Sequence, residues 1–326
     1  MPTKRALICG VTGQDGAYLS QWLLGKGYEV TGTSRDASMT SAGNLRRLGV
    51  RDRVKIVSMA PNDFRSVLQV LKREAPDEIY NLSGQSSVAL SFEQPVETLE
   101  SVSLATLNLL EAIRFLAEHM RLYNACSSEC FGDTDGKPAD EDTPFRPRSP
   151  YAVAKSAAFW QVANYREAYG LYACSGILFN HESPLRPERF VTQKIIRAAW
   201  RIANGSKEKL SLGNISIVRD WGWAPEYVEA MWRMLQQDVA DDYVIATGES
   251  NSLEELVAAA FGEFGLDWRE HVVTDPTLLR PTDIRAGRAN PQRALEKLGW
   301  AASHRMRAVV RMMAQECGRD GDKNDD

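Results

Sequence analysis

Cysteine is scarce in this 326-residue chain and falls in no metal-binding or disulfide pattern. The five are Cys9, Cys126, Cys130, Cys174 and Cys317. An odd count without a C-x-x-C pair argues against a disulfide framework or a zinc knuckle. Cys126 and Cys130 are four residues apart, but no His cluster accompanies them in a chain with four histidines, so no metal site is expected. No apolar stretch approaches the ~20 residues that span a bilayer. After Lys4 and Arg5, only the short run Ala6 to Val11 precedes Gln14 and Asp15, too little for a signal-peptide core. A protein of the reducing cytoplasm is expected. Positive charge is not in excess either: 39 Lys and Arg stand against 43 Asp and Glu, a formal −4. Neither nucleic acid nor an anionic membrane is an expected partner.

Apolar residues make up 44% and charged residues 25%, which suits a globular chain of about two domains. The first half alternates short apolar strands with amphipathic helices. The strands are read at Ala6–Val11, Glu29–Ser34, Val54–Met59, Glu78–Ser83 and Leu122–Ser127, each rich in apolar or β-branched residues. Phe64, Val67, Leu68 and Leu71 share one helical face, as do Leu19, Trp22 and Leu23. A helix is read from Pro150 to Tyr169, stopped by Gly170, and a further strand at Tyr172–Phe179. Repeated βα units predict an α/β fold: a doubly wound parallel-sheet Rossmann domain over 1–180, to which later segments can return. Beyond Asn180 the alternation stops at Pro184, Pro187 and Pro225. Residues 181–317 are read as a smaller mixed α+β substrate domain. It contains helices at Thr192–Ala203, from a Ser252/Glu255 capping box to Phe264, and from an Asn290 cap with Pro291 first to Gly299. The polar stretch 318–326 reads as a disordered tail.

Gly10, Gly13 and Gly16 form G-x-x-G-x-x-G where the first strand meets the first helix. Glycine there lets a pyrophosphate approach backbone N–H groups at the positive end of a helix. With Gln14 and Asp15 inside the motif, this reads as a dinucleotide site. The second strand ends in Ser34-Arg35. A hydroxyl and a guanidinium suit a 2′-phosphate, so NADP is favoured over NAD, with Arg46 or Arg47 able to join. Asp36 opposes that reading, since a small register change aims it at a ribose. Tyr151 and Lys155 lie four apart on one helical face. A nearby ammonium is expected to pull the phenol's pKa down toward neutrality, making a base for a sugar hydroxyl. Ser127-Ser128-Glu129 ends the fifth strand, where open α/β sheets bind ligands.

These residues, together with several longer stretches, give the chain a resemblance to extended short-chain dehydrogenases/reductases, and within them to the GDP-mannose 4,6-dehydratase family. The stretches are GVTGQDGAYL (10–19), DEIYNL (77–82), SFEQP (91–95), RSPYAVAK (148–155), GILFNHESP (176–184), RDWG (219–222) and RPTD (280–283). The resemblance implies an internal redox cycle on a GDP-sugar through NADP. Tyr151, with Lys155, removes the 4-hydroxyl proton; Glu129 takes the C5 proton; Glu129 or Ser127 assists loss of the 6-hydroxyl as water. It also implies a nucleotide diphosphate held by Asn180, Lys194, Arg219 and Arg280, and further substrate contacts at Ser86, Glu182, Val191 and Gly213. A homodimer or homotetramer is implied too. On general grounds Arg219 can instead pair with Asp220, and His181 is read as structural.

The chain departs from the family pattern at four places. Ser127 stands for a threonine, Asp36 for a second basic residue, and Ser87 for a histidine. At Ser58-Met59-Ala60-Pro61 the family has Gly-Asp-Leu, whose Asp contacts adenine, and a thioether cannot accept that bond. A nucleotide-sugar epimerase or a 4-keto-6-deoxyhexose reductase uses Tyr151 and Lys155 without needing Glu129. A cofactor-binding protein without catalysis is a further alternative.

Overall fold

A computed structural model describes residues 3–117 and 119–321, with side chains to residue 317. The strands are β1 (Arg5–Cys9), β2 (Glu29–Ser34), β3 (Val54–Ser58), β4 (Glu78–Asn81), β5 (Arg121–Ser127) and β6 (Ala173–Leu178). The short strands β7 (Asn180–Glu182), β8 (Leu210–Leu212), β9 (Val218–Trp223), β10 (Tyr243–Ile245), β11 (Ser250–Ser252) and β12 (Val272–Thr274) follow. The helices are α1 (Gln14–Gly25), α2 (Gly43–Arg47), α3 (Phe64–Glu74), α4 (Val88–Glu93), α5 (Pro95–Leu99), α6 (Ala105–Leu116), α7 (Pro150–Tyr169), α8 (Val191–Ala203), α9 (Ala224–Met234), α10 (Leu253–Gly262), α11 (Gln292–Leu298) and α12 (Met306–Gly321).

Seven parallel strands form the main sheet in the order β10-β6-β5-β4-β1-β2-β3. The chain winds outward from β1 in both directions, so the carboxyl ends of β1 and β4 diverge at the crevice where such sheets take ligands. Strand periodicity divides the core between the two faces. Ala6 and Ile8 join α1 and α9 on one side, through Leu23 and Met231, with Trp300 after α11 in the same cluster. Leu7 and Cys9 join α3 and α6 on the other, through Val67, Leu71 and Leu110. At ~1.5–3 kcal/mol for each large apolar side chain buried, these two layers carry most of the sheet's stability.

The second unit packs α8, α10 and α12 around Ile196, Phe261, Val310 and Met313 beside Trp221 of β9. Its sheets are β11-β9-β7 and β12-β8. The chain then returns to the first unit. β10 pairs with β6, Tyr243 opposite Gly176, and α9 covers α1. Three residues of strand are too few to show periodicity, which is why the sequence reading lacks β10. The last short helix, α11, is capped one position later than expected: Pro291 is the N-cap, and Asn290 Oδ1 accepts from Gln292 N at 3.3 Å. α12 continues to Gly321 and so takes in 318–321 of the expected tail; residues 322–326 lie outside the described residues. Among the described residues no helix is long and apolar enough to cross a membrane.

Candidate active site

The turn from β1 into α1 is built by close backbone approach. Gly10 sits at φ +84°, and a Cβ there would meet the Leu82 carbonyl oxygen at 2.8 Å. A Cβ on Gly16 would strike the Gly10 carbonyl and the Val11 backbone, so α1 can start here only with glycine at that position. Gly13 caps α1 in an extended conformation, and no side chain bonds to the first-turn N–H groups. The donors of residues 14–16 and the positive helix end therefore suit an anion. Gln14 and Asp15 face the second unit instead. Gln14 donates to the His181 carbonyl at 3.2 Å and accepts from Ser183 Oγ at 2.7 Å. Asp15 Oδ2 lies 3.0 Å from His181 Nε2, while the imidazole stacks on Tyr227 at 4.5 Å. Burial opposes both charges, yet the pairing prevails: Asp15 is held below the usual carboxylate range and His181 above the usual imidazole range. His181 is thus a structural tie between the cradle and β7.

At the end of β2, Ser34 Oγ donates to the Asp36 carbonyl at 3.2 Å and accepts from Thr40 Oγ1. Asp36 is exposed, but half of its carboxylate is occupied. Its Oδ1 accepts from Ser38 N at 2.9 Å, Ser38 Oγ at 2.6 Å and Met39 N at 3.3 Å, closing its own turn. Arg35 is exposed beside it.

Ser127, Glu129, Tyr151 and Lys155 come together at the carboxyl end of β5. Ser149 Oγ caps α7 through Ala152 N at 3.1 Å, and Pro150 follows, which puts Tyr151 in the first turn against Ser127. Ser127 Oγ also accepts from Glu129 N at 3.3 Å. Lys155 donates to the Ala125 carbonyl at 2.7 Å, and its Nζ lies 5.8 Å from the Tyr151 ring centroid. The expected lowering of the phenol by this ammonium is not what the structure gives. Burial dominates: it raises the Tyr151 phenol, which Ser127 only partly offsets, and it lowers the Lys155 ammonium. Burial also raises the half-buried Glu129 carboxyl, against the pull of Arg219 and Arg280 and with Asp283 adding to the rise. A carboxyl poised upward in this way suits alternate proton uptake and release.

Arg219 and Arg280 converge near Glu129 through a residue the sequence reading did not single out. Arg219 donates to the Ile284 carbonyl at 2.8 Å and to Asp283 Oδ1 at 3.2 Å. Arg280 lies 3.7 Å from the same oxygen. The alternative partner of Arg219, Asp220, is engaged elsewhere, accepting from Thr247 N at 3.0 Å and Gly248 N at 2.8 Å. The i,i+3 spacing from Arg280 is the one local signal for Asp283; its link to Arg219 spans 64 residues. The other expected contacts are dispersed. Ser86 is exposed beyond β4, and Asn180 is half-buried at the start of β7. Glu182 is buried and lies 3.2 Å from Arg186. Val191 opens α8, Lys194 donates to the Ser211 carbonyl at 2.8 Å, and Gly213 lies so close to the Leu278 carbonyl that a Cβ would approach it to 2.9 Å.

Comparison with known proteins bears directly on this arrangement. The family described as GDP-mannose 4,6 dehydratase matches residues 7–313. The chain belongs to that family. GDP-mannose 4,6 dehydratase 1 of Arabidopsis thaliana is 48% identical over 97% of this chain and 90% of its own. In three dimensions the chain resembles dTDP-glucose 4,6-dehydratase of Bacillus anthracis, solved with NAD, at TM-score 0.85 and 18% identity over 98% of both chains. It also resembles RMD of Pseudomonas aeruginosa, solved with NADPH, at TM-score 0.79 and 22% identity, again over 98% of both. Family membership makes the chain an enzyme, a nucleotide-sugar 4,6-dehydratase.

Two departures from the family pattern now have physical readings. Met59 is 1% exposed and packs with Val67, Leu71 and Leu109. Ser87 is the N-cap of α4, accepting from Leu90 N at 3.3 Å; a short hydroxyl suits that position.

Proposed function

We propose that this dehydratase acts on GDP-mannose or a closely related GDP-sugar, yielding the 4-keto-6-deoxy product, with NADP as its resident cofactor. The observation that carries this reading is the convergence of Tyr151, Ser127 and Glu129 at the end of β5, flanked by Arg219 and Arg280. When bound, the nicotinamide supplies a hydride acceptor for sugar C4 and a donor for C6. The chain's own residues do the proton work. Tyr151, hydrogen-bonding toward Ser127, is placed to take the proton of the 4-hydroxyl, a role that needs its phenol brought down from the raised value that burial sets. The resulting ketone acidifies the C5 proton, and Glu129 removes it. Glu129 then returns a proton, with Ser127 beside it, as the 6-hydroxyl leaves. One carboxyl acts first as base and then as acid, which its raised pKa favours.

Gly10, Gly13 and Gly16 suit the cofactor's pyrophosphate. Ser34 and exposed Arg35 suit a 2′-phosphate, and Oδ1 of the exposed Asp36 is taken up by the N–H and hydroxyl groups of its own turn. Asn180, Lys194, Arg219 and Arg280 are the groups proposed for the nucleotide diphosphate. The exposed apolar residues Leu99, Val153 and Trp160 on the packed helices α5 and α7 support self-association as a homodimer or homotetramer, and five buried cysteine thiols suit a cytoplasmic setting. The deciding experiment incubates the protein with GDP-mannose and no added reductant, following mass. Loss of one water is expected; an unchanged mass with an isomerised sugar would move the chain to the epimerases.

A further inference from the structure

Ser127 and Glu129 ride on a turn bracketed by two thiols. Cys126 and Cys130 are both buried, and their Sγ atoms lie 3.7 Å apart. The pair is also the seam between this turn and α7. Cys126 Sγ contacts the Lys155 carbonyl at 3.9 Å, and Cys130 Sγ contacts the Ala152 carbonyl at 3.7 Å. Both halves of the proton machinery therefore lean on these sulfurs. Among the described residues no set of three His, Cys, Asp or Glu is arranged to hold a metal, so the chemistry open to two adjacent thiols is oxidation.

We propose that Cys126 and Cys130 form a reversible modification site, a dithiol that hydrogen peroxide closes to a disulfide and that thereby halts dehydration. The effect on activity rests on the reading of Ser127 and Glu129 given above. Burial disfavours either thiolate, but the Cys126 thiol and the Lys155 ammonium favour charge on Cys130, whereas Cys126 is held high by burial and by its partner. Cys130 is thus the attacking sulfur. It gives up its proton and attacks one peroxide oxygen; the O–O bond breaks, hydroxide leaves, and Cys130 becomes a sulfenic acid. Cys126 then attacks that sulfur, the S–O bond breaks, and its proton departs with the oxygen as water. Two electrons and two protons pass from the thiols to the peroxide, which ends as two waters. A disulfide sets its sulfurs about 2 Å apart, so closure brings the two sulfurs that brace this turn closer by roughly 1.5 Å. Displacements of about 1 Å at reacting groups cost on the order of 10²-fold in rate.

The test maps disulfides by mass in the full-length protein after peroxide and alkylation, beside dehydration assayed before treatment, after it, and after dithiothreitol. A Cys126–Cys130 cross-link, an activity loss on the order of 10²-fold and recovery of both on reduction are expected. Cys130→Ser, which lacks the attacking sulfur, should keep its activity through the treatment. Both thiols alkylated, a cross-link with undiminished activity, or equal inhibition of Cys130→Ser would overturn the proposal. The map on the unsubstituted chain needs no variant to fold. Absence of dehydration before treatment defeats the functional reading and the switch together, and is told apart from a failed cross-link because the map is read without activity.

Discussion

At the residue scale, Glu129 and Tyr151 share one circumstance: each is ionisable and desolvated near the end of β5. Burial lifts both pKa values; Arg219 and Arg280 pull back on Glu129, and Ser127 on Tyr151. A carboxyl raised above 4.5 places the acid limb of the rate profile above the ordinary glutamate range, because protonation removes the base. Glu129→Gln should lower dehydration by on the order of 10²–10⁴-fold while NADP affinity, followed by calorimetry, stays within error. Retained turnover in that variant would remove Glu129 from the mechanism. Arg35 tests cofactor choice. Arg35→Ala should weaken NADP binding by about 1.5 kcal/mol, on the order of tenfold, and leave NAD unchanged. An equal loss for both cofactors would show that Arg35 does not read a 2′-phosphate.

At the scale of elements, α7 is the part whose placement matters most, since it brings Tyr151 and Lys155 to β5. Its start is set by Ser149 and Pro150, and its end by Gly170 at φ +67° in the left-handed region. Removing the cap with Ser149→Ala should cost about 1 kcal/mol in denaturant unfolding. Because Tyr151 lies in the first turn, the variant's kcat should fall with little change in KM. A stability loss without any kcat change would mean that tertiary packing alone holds the helix start. Legibility at this scale was high wherever the signal was local. β2, α7 and the capped α10 follow from alternation, 3.6-residue spacing and cap chemistry, all of which act within a few residues. β10 and the start of α11 were not legible, because three strand residues and an Asn-Pro pair carry too little pattern.

For the whole molecule, Asp220 is a buried charge on which pH acts. It is fully enclosed and braces the 247–248 turn beside β9, and burial pushes its carboxyl up to about 6, above its ordinary 3.8, despite two backbone donors. The folded chain therefore holds that proton more tightly than the unfolded chain. The contribution is full below about pH 3.8 and is lost as pH rises to about 6, a change of about 3 kcal/mol. Asp220→Asn should flatten that part of the pH dependence of unfolding, whatever its effect at a single pH; an unaltered profile would place the group's pKa near its ordinary value. Self-association is tested on the exposed ring. Trp160→Asp should shift the molecular mass in light scattering toward the monomer, and an unchanged mass would locate the interface elsewhere.

Sequence alone determined the alternating elements, the glycine turn, the capped helix bearing Tyr151 and Lys155, and the family resemblance, because each depends on neighbours within a turn or a strand. The tertiary structure decided who partners whom. Arg219 meets Asp283 and not the adjacent Asp220, His181 reaches Asp15 across 166 residues, Met59 turns into the core, and the Cys126 and Cys130 thiols come to 3.7 Å. It also reversed the direction expected for the Tyr151 phenol. Spacing tells which charges are near along the chain, whereas desolvation depends on everything the fold stacks around them.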